Sequence, residues 1–286
     1  MKDKEAIRYV SKKLVDITFV GRGIDKGKED IHREGMFLTP ALLRNSIIGG
    51  LEIKRRWGSG ENMIIIGCAC YGTAIPLLNF FHLLVQLNID YSILNKEYCC
   101  GAPLIYKQIW DGEPRDEADK AAKEFTGLNI KLAKEQDCKR VVYFCIWCAY
   151  IAKRFNEDSP IELLYFPDFL KPYLDKISLS YNARVGYFGG VPHRKPVLFP
   201  EESWEFDWEM YRGLLNEVKG LDVVNIPRKN CCQIEDKAIW KFMEEEGLKT
   251  LVTPCITGYG RLSRRAPKGI KVMFLTDLFL KALIQK

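Results

Sequence analysis

Met63-Ile64-Ile65-Ile66-Gly67-Cys68 is a short apolar run that stops at a glycine and a cysteine and is followed by a helical stretch through about Leu87. The same grammar continues downstream. Tyr91–Leu94 reads as a second strand leading to Cys99-Cys100-Gly101, and Asp116–Gln136 as a long polar helix. Arg140–Phe144 then reads as a strand that delivers Cys145 and Cys148, with a helix continuing over Ala149–Phe155. Strand-then-helix alternation predicts an α/β fold built on parallel sheets. Cys68 and Cys145 fall where strands end and helices begin, the edge of an open α/β sheet at which ligands bind. Helix N-termini there favour an anionic centre.

The second half repeats the first in weaker form. Arg184–Phe188 ends at Gly189-Gly190-Val191, Val223–Ile226 leads to Cys231-Cys232, and Thr250–Thr253 delivers Cys255, with Gly258 three residues on. Apolar tails at Leu163–Leu170 and Val272–Leu280 close the two halves. The expectation is therefore two tandem, pseudo-duplicated Rossmann-like domains over 61–178 and 179–286. They follow an extension over 1–60 that carries one helix, from about Pro40 to Arg56, and serves for partner docking.

The chain has 286 residues, 47% of them hydrophobic and 28% charged, the values of an ordinary globular protein with room for two domains. The formal charge of +6 is modest and spread out, and no nucleic-acid recognition motif is present. No Walker loop or G-x-G-x-x-G is found, which argues against nucleotide binding. The apolar stretch Ile75–Leu87 is too short to span a membrane, and the charged N-terminus does not read as a signal peptide. A cytoplasmic protein is expected, with peripheral contact to the inner face of the membrane as the alternative.

Ten cysteines in such a chain point to metal or redox chemistry before structural disulfides. Five of them form the pattern C-x30-CC-x44-C-x2-C: Cys68, Cys99, Cys100, Cys145 and Cys148. Adjacent cysteines are poor disulfide partners, and a structural zinc is satisfied by four ligands, so five thiols suit a multi-metal, iron–sulfur centre. Cys145-Ile-Trp-Cys148 alone also suits a dithiol at a helix N-terminus. Cys70 reads as a neighbour of the centre, Cys138 as a small buried residue, and His82 as a packed core histidine.

On these residues the chain resembles the cysteine-rich CCG-domain family, in particular the B subunit of heterodisulfide reductase, over roughly residues 62–286. The resemblance implies that Cys68, Cys99, Cys100, Cys145 and Cys148 hold a noncubane [4Fe–4S] cluster. It implies an oxidoreductase subunit of a multi-subunit complex, converting a small thiol or disulfide or relaying electrons to a quinone. Its partners would be a ferredoxin-like iron–sulfur subunit and a flavoprotein. The CCG subunit of a type-E succinate:quinone oxidoreductase is a second reading, and a zinc-bearing structural or regulatory protein a third. The second motif departs from the family: Val191 and Gly258 stand in ligand positions and Gln233 replaces the glycine after the pair. Cys231, Cys232 and Cys255 remain, and with His193 would make a set for zinc.

Overall fold

The protein is described by a computed structural model, which places residues 23–37, 41–68, 73–189, 207–227 and 232–284. It divides into two compact units. The first comprises the described residues of Met1–Ala74 and Asn88–Phe166, and the second those of Ile75–Leu87 and Pro167–Lys286.

In the first unit, helices α1 (Ile24–Glu34) and α2 (Ala41–Gly50) precede a two-residue strand β1 (Arg56–Trp57). Strands β2 (Asn62–Ile65), β3 (Tyr91–Ile93), β4 (Arg140–Tyr143) and β5 (Glu162–Tyr165) complete the sheet. The order is β1-β3-β2-β4-β5; β1 lies antiparallel on β3 and the other pairings are parallel. Helices α3 (Ala74–Gln86), α4 (Ala102–Asp111), α5 (Asp116–Glu135) and α6 (Ile146–Phe155) follow their strands, and α3 is counted with the second unit. Every residue of β2 is buried, as a central parallel strand covered on both faces must be, and this is why Met63–Ile66 is a continuous apolar run rather than an alternating one.

The second unit repeats the order. It contains α7 (Phe166–Leu174), β6 (Ser180–Tyr187), α8 (Trp208–Asn216), β7 (Lys219–Asn225) and α9 (Cys232–Glu245). It ends with β8 (Thr250–Thr253), α10 (Ile256–Arg265), β9 (Lys271–Phe274) and α11 (Leu275–Ile284). Its all-parallel sheet runs β7-β6-β8-β9, the same arrangement as β3-β2-β4-β5. The fold is thus α/β, with two pseudo-duplicated Rossmann-like parallel sheets and a helical N-terminal part.

Two local expectations change. The helix expected to reach Arg56 stops at Gly50, because Gly49-Gly50 is a poor helical continuation and Glu52 turns left-handed at φ 54. His82 is exposed rather than packed in a core. Cys138 is buried as expected, its thiol donating to the Gly60 carbonyl at 3.3 Å. Among the described residues no helix is long and apolar enough to cross a membrane.

Candidate thiol centre

In the first sheet the chain runs from β2 to β3 on one side and then crosses to β4 on the other, so the topological switch lies between β2 and β4. These strands pair in register to Ile65 opposite Tyr143, and the next residues of the chain lead to Cys68 and Cys145. The Phe144 amide still donates to the Ile65 carbonyl at 2.9 Å, so the two strand ends leave the sheet side by side. Gly67 makes the close approach possible: at φ 81, a β-carbon there would sit 2.9 Å from Cys148 Sγ and 3.1 Å from Cys145 Cβ.

All five thiols of the first motif interact with one another. Cys68 Sγ lies 3.9 Å from Cys99 Sγ, a sulfur–sulfur hydrogen bond, and Cys100 bonds Cys148. Cys68 is partly exposed, while Cys99, Cys100, Cys145 and Cys148 are buried. Proton affinity is divided unevenly among them. Hydrogen bonds from Cys100 and then Cys68 hold the Cys99 thiol well below its ordinary value, against the opposing effect of burial. The bond to Cys99, with burial, pushes Cys68 well up. Cys145, the N-cap of α6, is lowered by its bond to Cys148 and by the amides of Cys148 and Trp147. Cys148 is raised by its bonds to Cys100 and Cys145 and by burial. Cys100 is drawn down by Cys148, but the Cys99 bond, burial and neighbouring thiolates carry it well up.

Residues without any cysteine signature hold this nest. Glu97, fully buried, accepts from the backbone amides of Ile66 and Gly67, each at 2.9 Å. Arg44, also fully buried, lies 3.8 Å from the Glu97 carboxylate and donates to the Asn95 and Leu94 carbonyls at 2.8 and 2.7 Å. Asn129 bonds both the amide and the carbonyl of Tyr98 at 2.7 Å, and the Cys99 amide donates to the Gly35 carbonyl at 2.6 Å. The Tyr143 hydroxyl is buried without a hydrogen-bond partner; burial and the nearby Cys148 and Cys100 raise it well above the phenol range. None of these residues was singled out from the sequence. A carboxylate and an arginine 53 positions apart carry no local periodicity, and only the charge at Glu97, two residues before a cysteine pair, offered a clue.

The second unit holds a smaller arrangement. Cys255 is the N-cap of α10, its Sγ accepting from the Gly258 amide at 3.3 Å. A β-carbon at Gly258 would lie 3.4 Å from Cys255 Sγ and 3.6 Å from Cys232 Sγ, so these two thiols flank one small space. Beside them Asp236 accepts from Arg261 at 3.1 Å and Arg265 at 2.7 Å. Cys70, His193 and Cys231 lie outside the described residues.

No family model matches the chain, and no curated protein matches it. Several solved structures do. An aspartate racemase homologue from Pyrococcus horikoshii is 12% identical with a TM-score of 0.36, covering 79% of this chain and 98% of its own. A putative Asp/Glu racemase from Yersinia pestis is 15% identical, TM-score 0.40, with coverage of 79% and 98%. The glutamate racemase of Aquifex pyrophilus is 15% identical, TM-score 0.35, with coverage of 78% and 83%.

The identification with the CCG-domain family is corrected: no model of that family, and no curated heterodisulfide reductase or succinate dehydrogenase subunit, matches the chain. The noncubane [4Fe–4S] cluster expected on Cys68, Cys99, Cys100, Cys145 and Cys148 is corrected too. Among the described residues, no group of three or more His, Cys, Asp or Glu side chains is disposed to hold a metal ion. The physical reason lies in the hydrogen bonding. Cys68 Sγ and Cys99 Sγ are directed at one another at 3.9 Å and Cys100 bonds Cys148, rather than the thiols forming a metal-holding group. The zinc expected on Cys231, Cys232, Cys255 and His193 is corrected on the same finding, which covers Cys232 and Cys255 as the described members of that set. With the cluster go the electron-relay or disulfide-converting role in a multi-subunit complex, its ferredoxin-like and flavoprotein partners, and the zinc scaffold.

Proposed function

We propose that the chain is an enzyme that uses a thiolate–thiol pair, Cys68 and Cys99, to move a proton at a small carbon acid, an isomerase type of reaction. The observation that carries this reading is the 3.9 Å bond between Cys68 and Cys99, with one partner raised and the other lowered. Such a pair stores one proton and one negative charge. When the proton shifts from Cys68 to Cys99, the partly exposed Cys68 becomes the thiolate that takes a proton from the substrate carbon. Reversal returns it, and no electron carrier is consumed. Cys145 and Cys148 are a similar pair, both buried.

The test is solvent-deuterium exchange into small amino acids, followed by mass spectrometry and chiral analysis. The panel begins with aspartate and glutamate, the amino acids named for the similar solved structures. Exchange is expected with at least one compound, and Cys68→Ser or Cys99→Ser is expected to slow it by about 100-fold or more, the scale of losing a general acid–base group. The rate should hold at neutral pH and fall in acid, because protonating Cys99 through its lowered value removes the acceptor for the Cys68 proton. Exchange with no compound, or exchange that survives both substitutions, rules the reading out.

A further inference from the structure

Ile66 and Gly67, which lead from β2 to Cys68, belong to no helix or strand: β2 ends at Ile65. What fixes them is Glu97. Both carboxylate oxygens are used, Oε2 accepting from the Ile66 amide and Oε1 from the Gly67 amide, each at 2.9 Å. The same residue lies two positions before Cys99, so one side chain ties the backbone leading to Cys68 onto the backbone leading to Cys99. Backbone strain narrows the choice further, since Gly67 at φ 81 brings this loop against Cys148 and Cys145.

A carboxylate this deeply buried is costly unless it is paired and hydrogen-bonded. Arg44 supplies the positive charge at 3.8 Å and, through its two carbonyl bonds to Leu94 and Asn95, binds the segment just before Glu97. Arg44 comes from α2, whose neighbouring Leu42 and Leu43 are exposed. This helix therefore contributes an inward-facing cation to the first unit, with buried Ile48 one turn further on.

We propose that the Glu97–Arg44 pair is the positioning element of the thiol centre, holding Cys68 at hydrogen-bonding distance from Cys99. Glu97 and Arg44 touch no substrate in this scheme; they act through Cys68. The inference rests on the thiolate–thiol reading of Cys68 and Cys99, and its test is chosen to be independent of any turnover.

The readout is the ultraviolet thiolate absorbance that depends on Cys99, taken as the difference between each protein and its Cys99→Ser counterpart at neutral pH, with circular dichroism to confirm folding. Glu97→Gln keeps the size of the side chain but accepts through one oxygen only. It is expected to lower the Cys99 thiolate-to-thiol ratio by about tenfold or more, one pKa unit's worth. Cys68→Ala is expected to act in the same direction, and adding Glu97→Gln to Cys68→Ala is expected to change nothing further. An unchanged absorbance in folded Glu97→Gln, or effects that add in the double variant, overturns the proposal. If Glu97→Gln does not fold, Arg44→Lys carries the same test: it keeps the charge but loses the fork that binds both carbonyls. A shift that vanishes in the Cys68→Ala background supports the proposal, and no shift, or an additive one, overturns it. Failure of the proton-transfer reading would appear separately, as absence of deuterium exchange in a wild-type protein whose thiolate signal behaves as described.

Discussion

Gly101→Ala is expected to destabilise the protein by about 2–5 kcal/mol, combining a left-handed backbone penalty of about 1–2 kcal/mol with an overpacking cost of about 1–3 kcal/mol. Gly101 sits at φ 77 as the N-cap of α4, immediately after the Cys99-Cys100 pair. A β-carbon there would lie 2.8 Å from both Cα and Cβ of Ala122. Ala122 belongs to the fully buried face of α5, so the obstacle is helix backbone and cannot swing aside like a side-chain tip. Gly112 provides the internal comparison. It has nearly the same φ, 76, but nothing lies within 4 Å of its position for a β-carbon. Gly112→Ala should therefore cost only the backbone penalty, and chemical denaturation of the two variants side by side separates strain from collision. Equal losses would mean that α5 yields freely at Ala122. The Gly101 variant should also disturb the thiols, because α4 and the cysteine pair share this turn.

The elements that the sequence predicted best are those whose residues leave no choice of environment. Thr250–Thr253 and Arg140–Tyr143 are short β-branched and apolar runs between polar segments, and both are strands with the expected bounds or within one residue of them. Asp116–Glu135 matches its polar helical pattern because its apolar positions Ala118, Ala121, Ala122 and Phe125 recur on one buried face. The duplication was legible as well, since each half repeats a strand, a cysteine-bearing turn and an apolar tail, and the two sheets share a strand order. Less was legible where contacts are long-range. Arg56–Trp57 is a strand only because Tyr91 and Ser92 lie beside it, and nothing in a two-residue segment announces that partner. The thiol centre divides along the same line. Spacing indicated which cysteines come to the strand ends, but spacing does not say whether thiols turn toward a metal or toward one another. That depends on Gly67, Glu97 and the helix start at Cys145, which set sulfur directions rather than sequence intervals.

Arg44→Ala should be the most damaging single substitution, lowering stability by about 3–5 kcal/mol, the range for removing one partner of a buried ion pair. Coulomb attraction at 3.8 Å is only part of the loss. The substitution leaves the fully buried Glu97 carboxylate without its cation and removes donors from the Leu94 and Asn95 carbonyls. It also empties the volume of one of the largest fully buried side chains. Replacing both members, as Arg44→Met with Glu97→Leu, should recover part of the loss, because a buried apolar pair pays no desolvation cost. The Ile66 and Gly67 amides would still lose their acceptor, so recovery should be incomplete. The two contributions are thus separable by denaturation: the cation's share returns in the double variant and the amide clamp's share does not. A single Arg44→Ala variant within about 1 kcal/mol of wild type would mean that water reaches Glu97, and that the clamp on the Cys68 loop is weaker than its hydrogen bonds imply.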